Sequence, residues 1–215
     1  MKTQKRTRTQ WLALLGVIGT VFYFLHVIIG KMNYPGYSSI SQAVSDLTAA
    51  DAPSREIATS LATTNGFFTV TAVTLLCVFF QNKLNKPFRV GIYLFAFMEW
   101  VSAIGYMLFP LTEKGYAGTF QDVMHVIVTA LVVGVSVASM ILIAVGSMKS
   151  VINKKFGFFT IAVLGAMMLG SIGIGVLPIE YLGLTERVSV YSVVIYSAAL
   201  CLFAFWYKLE NATTE

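Results

Sequence analysis

The chain has 215 residues, of which 57% are hydrophobic and only 12% charged, with a mean hydropathy of +0.76. A soluble domain carries about 25% charged residues, so a water-soluble globular fold is excluded. The net charge of +5 follows the connectors of a membrane protein and not a basic face, so no nucleic-acid partner is expected.

The apolar residues fall in six blocks of the length that crosses a bilayer as helix, roughly twenty residues: 11–30, 57–80, 90–109, 123–148, 156–177 and 188–207. The shorter alternating segments of a membrane β-barrel are not visible. What is left for connectors is too short for a soluble domain. The expectation is an all-α, polytopic six-helix bundle forming one membrane domain over residues 1–215.

The first block follows a basic stretch but ends IIGKMNYP without a small-x-small cleavage site, which favours an uncleaved span over a signal peptide. His26 lies five residues before Lys31, about 7.5 Å from the end of that helix. The connector NYPGYSSISQAVSDLTAADAP (33–53) is polar and rich in turn residues and hydroxyls. Ser38 or Ser39 suits an N-cap, and Ile40, Ala43, Val44 and Leu47 then recur near helical spacing. A short amphipathic helix is expected between spans 1 and 2, with Ser41, Gln42, Ser45 and Asp46 on its polar face and Tyr34 and Tyr37 at the interface. Such a helix would be a lid over the bundle mouth.

Within the second span Asn65 lies about 13 Å from Glu56, and within the third Glu99 lies about 16 Å from Pro110. Asn65, Glu99 and Ser102 are thus expected to meet as a polar floor. Glu99 reads either as interhelical glue in its protonated form or as part of a proton or ion relay. Cys77 and Cys201 read as packing residues.

The fourth span opens QDVMHVIVT, which sets Asp122, His125 and Thr129 on one helical face. Asp122 reads as a helix cap and, compatibly, as the carboxylate that orients His125 as a general base. Glycines 157, 165, 170, 173 and 175 in the fifth span permit close helix approach. The sixth begins GLTERVSVYS, placing Glu186 and Arg187 at its start with Ser189 and Tyr191 within the next turn. Arg187 has the fork to pair with a carboxylate or grip a phosphate. A parallel echo, Ala103-Ile104-Gly105 with Pro110 and Ser171-Ile172-Gly173 with Pro178, suggests two related hairpins or chance.

Eleven of the fifteen lysines and arginines fall on the side of the termini and even-numbered connectors, which makes both termini cytoplasmic. Seven of the ten acidic residues, including Asp46, Asp51, Asp122 and Glu186, fall on the opposite, extracytoplasmic side.

The run YPGYSSISQAVSDL followed by AP, the order FPLT then DVMH, and GLTERVSVY resemble the bacterial and archaeal membrane family called domain of unknown function 998. Members of that family favour Ile-Ser-Glu-Leu where this chain has Val44-Ser45-Asp46-Leu47. The resemblance implies six spans in this order in the cell membrane and brings no activity with it.

The leading functional expectation is a lipid-headgroup or small-molecule site at the extracytoplasmic mouth. It would be lined by Tyr37, Ser45, Asp46, Asp122, His125, Glu186, Arg187 and Tyr191, with His26 beside it. The alternatives are an accessory membrane protein without ligand, a hydrolase or acyltransferase using Ser41 or Ser45 with His125 and Asp122, and a proton-coupled transporter or channel using Glu99. No metal site and no cofactor are expected, membrane lipids are the expected partners, and the oligomeric state is left open.

Overall fold

The computed structural model describes residues 5–149 and 153–208. Lys2, Glu210, Glu215 and residues 150–152 of the fourth connector, used above in the charge and connector arguments, lie outside the described residues. Among the described residues six helices are long and apolar enough to cross a membrane. They are α1 (Arg8–Met32, with a turn at Ala13 and Leu14), α2 (Arg55–Phe80), α3 (Lys86–Leu108), α4 (Phe120–Lys149), α5 (Lys154–Val176) and α6 (Leu182–Trp206, preceded by a 3-10 turn at Ile179–Tyr181). The chain is a multi-pass, all-helical membrane protein.

The helices begin where local chemistry lets them. Thr7 and Gln10 form a reciprocal capping box at the start of α1, and Asn85 accepts from the Phe88 N–H at 3.2 Å with Pro87 in the first turn of α3. Both devices satisfy N–H groups that a helix start otherwise leaves orphaned. The last helix starts six residues before the expected block, immediately after the 3-10 turn. Glu186 and Arg187, expected at the start of this helix, therefore sit one turn inside it.

Each helix packs on its chain neighbours, and α1 also packs on α6. The bundle is thus an up-and-down ring, closed where the ends of the chain meet. The tightest hairpin contacts run over glycines. A Cβ at Gly170 would strike the Ser189 and Thr185 backbone of α6, and one at Gly91 would meet the Ser139 and Ile143 backbone of α4. Of the five glycines singled out in α5, Gly157, Gly170 and Gly173 make such approaches, whereas Gly165 and Gly175 face open space.

Near the chain termini the ring interior is filled with aromatic side chains. Phe88, Phe156 and Phe203 stack on one another, with Phe156 and Phe203 at 4.5 Å between ring centroids, and Phe80 packs on Phe88 and meets Tyr207 edge to face. The Gln10 amide closes this end by donating to the carbonyls of Ala204, Phe205 and Tyr207. Cys201 is buried and Cys77 half-buried, both as free thiols within the packing. The other end, toward residues 33–54, is built differently.

Candidate functional site

Residues 33–54 form a strap across the second end of the ring. The expected amphipathic α-helix is not what forms: the segment is a series of turns followed by a 3-10 helix at Ser45–Thr48. The reason lies in its backbone partners. Arg187 of α6 donates through Nη1 to the carbonyls of Ser39 and Gln42, each at 2.8 Å, and the Leu184 N–H donates to the Ile40 carbonyl at 2.9 Å. Glu186 accepts from the Val44 N–H at 2.6 Å and also from the Ser45 N–H. An α-helix would need those same groups for its own ladder. The tertiary partners win because each is delivered by a rigid helix end and four of the contacts involve Arg187 or Glu186, charged groups whose hydrogen bonds are roughly twice as strong as neutral ones.

The strap is fixed at further points. Gly36 turns the chain with φ +76°, a region open to glycine at no steric cost. Leu47 is completely buried, packed against Gly30 of α1 and beside Ala58 of α2. Ser54 Oγ donates to the Leu47 carbonyl at 2.8 Å, and the Ala50 N–H donates to the Leu111 carbonyl at 2.8 Å. Tyr37 is not an interface anchor but a buried residue. Its hydroxyl receives Arg187 Nη2 at 2.5 Å and donates to the Ala43 carbonyl at 2.6 Å. Burial pushes that phenol up to about 12, against the lowering influence of the guanidinium.

Asp46 also points inward, opposite to the polar face expected for it. It is 2% exposed and accepts from the Ala43 N–H at 3.1 Å and the Gly115 N–H at 2.9 Å. Burial raises its carboxyl above the usual aspartate range, and the two N–H groups only partly offset this. Through Gly115 it joins the strap to the loop between α3 and α4.

Asp122 serves that same loop. It accepts from the Thr112 N–H and hydroxyl and from the Thr119 N–H and hydroxyl, all between 2.9 and 3.1 Å, while Thr119 Oγ1 accepts from the Asp122 N–H. This is a reciprocal cap on α4, so the capping role is the one its geometry carries. It does not orient His125. The Nδ1 of His125 lies 2.8 Å from the Phe109 carbonyl. A carbonyl only accepts, so Nδ1 carries the proton and Nε2 is left as the acceptor of the neutral ring. His125 is hydrogen-bonded to neither Asp122 nor Ser45, and the triad drawn from the sequence is not assembled. Ser45 is held through its backbone beside Glu186 and is half-buried.

Arg187 likewise departs from expectation. A third carbonyl, that of Gly183, receives Nη1 at 2.8 Å, so the guanidinium is a strut between α6 and the strap and does not present its fork to a phosphate. A Cβ at Gly183 would collide with the Gln42 carbonyl oxygen, which is how the strap comes so close.

Beneath the strap polar side chains converge from four helices. Tyr23 and His26 of α1 meet edge to face, with ring centroids 5.6 Å apart, and Tyr23 meets Tyr191 of α6 at 6.2 Å. Tyr23 also lies within the field of Glu186, Tyr106 and Arg187. Tyr106 of α3 packs on His125 at 4.9 Å and donates to Thr129 Oγ1 at 3.1 Å. Both His125 and Glu186 feel the charge of Asp46. His26 is 4% exposed, and both its ring nitrogens are buried without any hydrogen-bond partner among the described residues. Almost all buried polar groups in proteins are satisfied, so His26 is the exception within this cluster.

Tyr23 and Tyr106 did not emerge from the sequence. The signal was present in α1, where Tyr23, His26, Val27 and Gly30 share one face at helical spacing, but tyrosines in membrane helices are common and carry no label. Lower in the ring the expected floor is not formed. Asn65 accepts from Thr69 of its own helix at 3.2 Å, while Glu99 faces Ser197 and Cys201 of α6. Ser102 makes no hydrogen bond to either.

Comparison with known proteins comes from one source. A family profile described as "Protein of unknown function (DUF998)" matches residues 17–203. No curated protein and no solved structure matches the chain. The match runs from within the first helix to within the last and includes the strap, and the chain belongs to that family.

Proposed function

For this DUF998 member, we propose a binding function: the polar cluster under the strap receives a small polar molecule or a lipid headgroup when the strap opens. The observation that carries this reading is His26, whose two ring nitrogens lie buried and unpartnered in a cluster that also holds Tyr23, Tyr191 and Glu186. An unpaired buried polar group costs about 1–3 kcal/mol, and an occupant that hydrogen-bonds the ring removes that cost. Part of the chain wall at this site is a strap held by a handful of hydrogen bonds to α6, the kind of element that opens at lower free energy than the core. The distribution of lysine and arginine supports a cell-membrane protein with cytoplasmic termini, and with that orientation the cluster under the strap lies toward the extracytoplasmic face.

The test is direct. Protein purified in mild detergent is denatured, and small molecules and lipids released from it are compared by mass spectrometry between wild type and His26→Phe. A species retained stoichiometrically by wild type and lost from His26→Phe supports the reading. Identical profiles for the two, with the variant folded, overturn it.

A further inference from the structure

At the opposite end of the bundle, outside the ring and independent of the strap, a groove of about 640 Å³ runs between α5 and α6. Phe159, Leu202 and Trp206 form its outer walls at 37%, 39% and 65% exposure. The half-buried rings of Phe156 and Phe203, stacked on one another, lie behind them. Along α6 the lining extends from Trp206 to Ala199, seven positions, or roughly 10 Å at the rise of a helix. One leaflet of a bilayer has about 15 Å of hydrocarbon, so the groove follows the helices through most of that depth. Its walls are apolar, and its outer end is not: Asn153 and Lys208 stand there.

We propose that this groove holds an acyl chain of an acidic phospholipid, with the lipid phosphate at Lys208 and at the lysines that follow Asn153, Lys154 and Lys155. Charge selects the occupant. Among the described residues, the helix ends and connectors on this side carry ten lysines and arginines and no aspartate or glutamate. Counting Glu210 and Glu215 of the tail leaves the balance strongly positive. The side chains of Lys154, Lys155 and Lys208 form no hydrogen bond or ion pair with another described residue, so their charge is available to a headgroup. Arg6 adds a cation 4.3 Å from the centre of the Trp206 ring. Basic side chains at a membrane surface attract anionic lipid headgroups, and the apolar wall retains the chain by burying it. A zwitterionic lipid fits the wall equally well but brings a second positive charge to a face already rich in it. A second copy of this chain, paired through the same patch, would set these lysines against their own counterparts.

The full chain in mild detergent is titrated with phosphatidylglycerol or with phosphatidylcholine of the same acyl chains, and bound lipid is counted by native mass spectrometry. Phosphatidylglycerol should bind at least tenfold more tightly. Lys154→Gln combined with Lys155→Gln and Lys208→Gln should erase that preference. Lys83→Gln combined with Lys86→Gln and Arg89→Gln removes as many charges from the same side, at residues that do not line the groove, and should keep it. Ala199→Phe fills the groove without touching a charge and should weaken both lipids several-fold. Equal binding of the two lipids, equal loss in the two triple variants, or unchanged binding in Ala199→Phe overturns the proposal. The preference should also survive His26→Phe. Phosphatidylglycerol lost from His26→Phe and kept by the Lys154, Lys155 and Lys208 variant would place the lipid under the strap, sinking this proposal and supporting the other.

Discussion

The two ends of the bundle bury comparable stretches of the same helices in opposite ways. At the end near the chain termini the ring is filled by stacked phenylalanines, with Phe80 and Phe88 completely buried. At the strap end the same ring holds Tyr23, His26, His125 and Glu186, and its closure depends on hydrogen bonds from α6 to a non-helical connector. Packing of this kind between helices gives stability without needing a partner for any atom, so the aromatic end can hold the helices in register. That leaves the strap end free to keep groups unsatisfied. One end is the frame, and the other can be a site.

The contrast can be broken from either side, and the largest effect is expected at the frame. Phe80→Ala removes a fully buried ring touching Phe79, Phe88, Phe203 and Tyr207. A loss of about 3–5 kcal/mol is expected, as for other buried aromatics cut to alanine, seen as a lower midpoint of the whole protein in detergent denaturation. Next comes Arg187→Ala, which leaves the Ser39, Gln42 and Gly183 carbonyls and the Tyr37 hydroxyl without their donor. About 3 kcal/mol is expected, confined to the strap: hydrogen exchange over 33–54 should accelerate while the aromatic end stays protected. Arg187→Lys should not rescue it, because an ammonium lacks the planar fork that reaches several acceptors at once. If both ends exchange together in Arg187→Ala, the two are one cooperative unit and the comparison fails.

A smaller change tests the close approach of the strap. Gly183→Ala sets a methyl against the Gln42 carbonyl oxygen, and about 1–3 kcal/mol is expected from overpacking, again read in strap exchange. The smallest effect concerns pH. Burial raises the Asp46 carboxyl, so the folded strap holds that proton more tightly than the unfolded chain does. Its contribution is therefore fully present below the ordinary aspartate value of about 4 and is lost as pH rises through the raised value. Strap protection should fall across that window in wild type, after correction for intrinsic exchange, and Asp46→Asn should flatten the dependence. A slope unchanged in Asp46→Asn would assign it to another group.

Much of the fold was legible because its cause is local. Six apolar blocks cannot rest in water, and each is long enough to span a bilayer, so count and order of the helices followed from hydropathy. Asp122 as a cap was legible for the same reason, since Thr119 and Asp122 stand at capping distance in the chain itself. The site was less so. Glu186 and Arg187 were visible as unusual residues, yet their partners are backbone carbonyls and N–H groups of the strap, which every residue possesses and which leave no mark in a sequence. Asn65 and Glu99 shared an estimated depth, but depth does not fix rotation about a helix axis, and they turned to different neighbours.

By itself the sequence determined that the chain lives in a membrane, where its helices start and stop to within a few residues, and which polar residues had to be explained. The tertiary structure decided what those residues do. Helical periodicity in 38–48 lost to charged partners on α6 because backbone groups bond wherever the best-placed donor or acceptor is held rigid. His26 stands apart for the converse reason, that the fold brings its ring nitrogens no hydrogen-bond partner among the described residues.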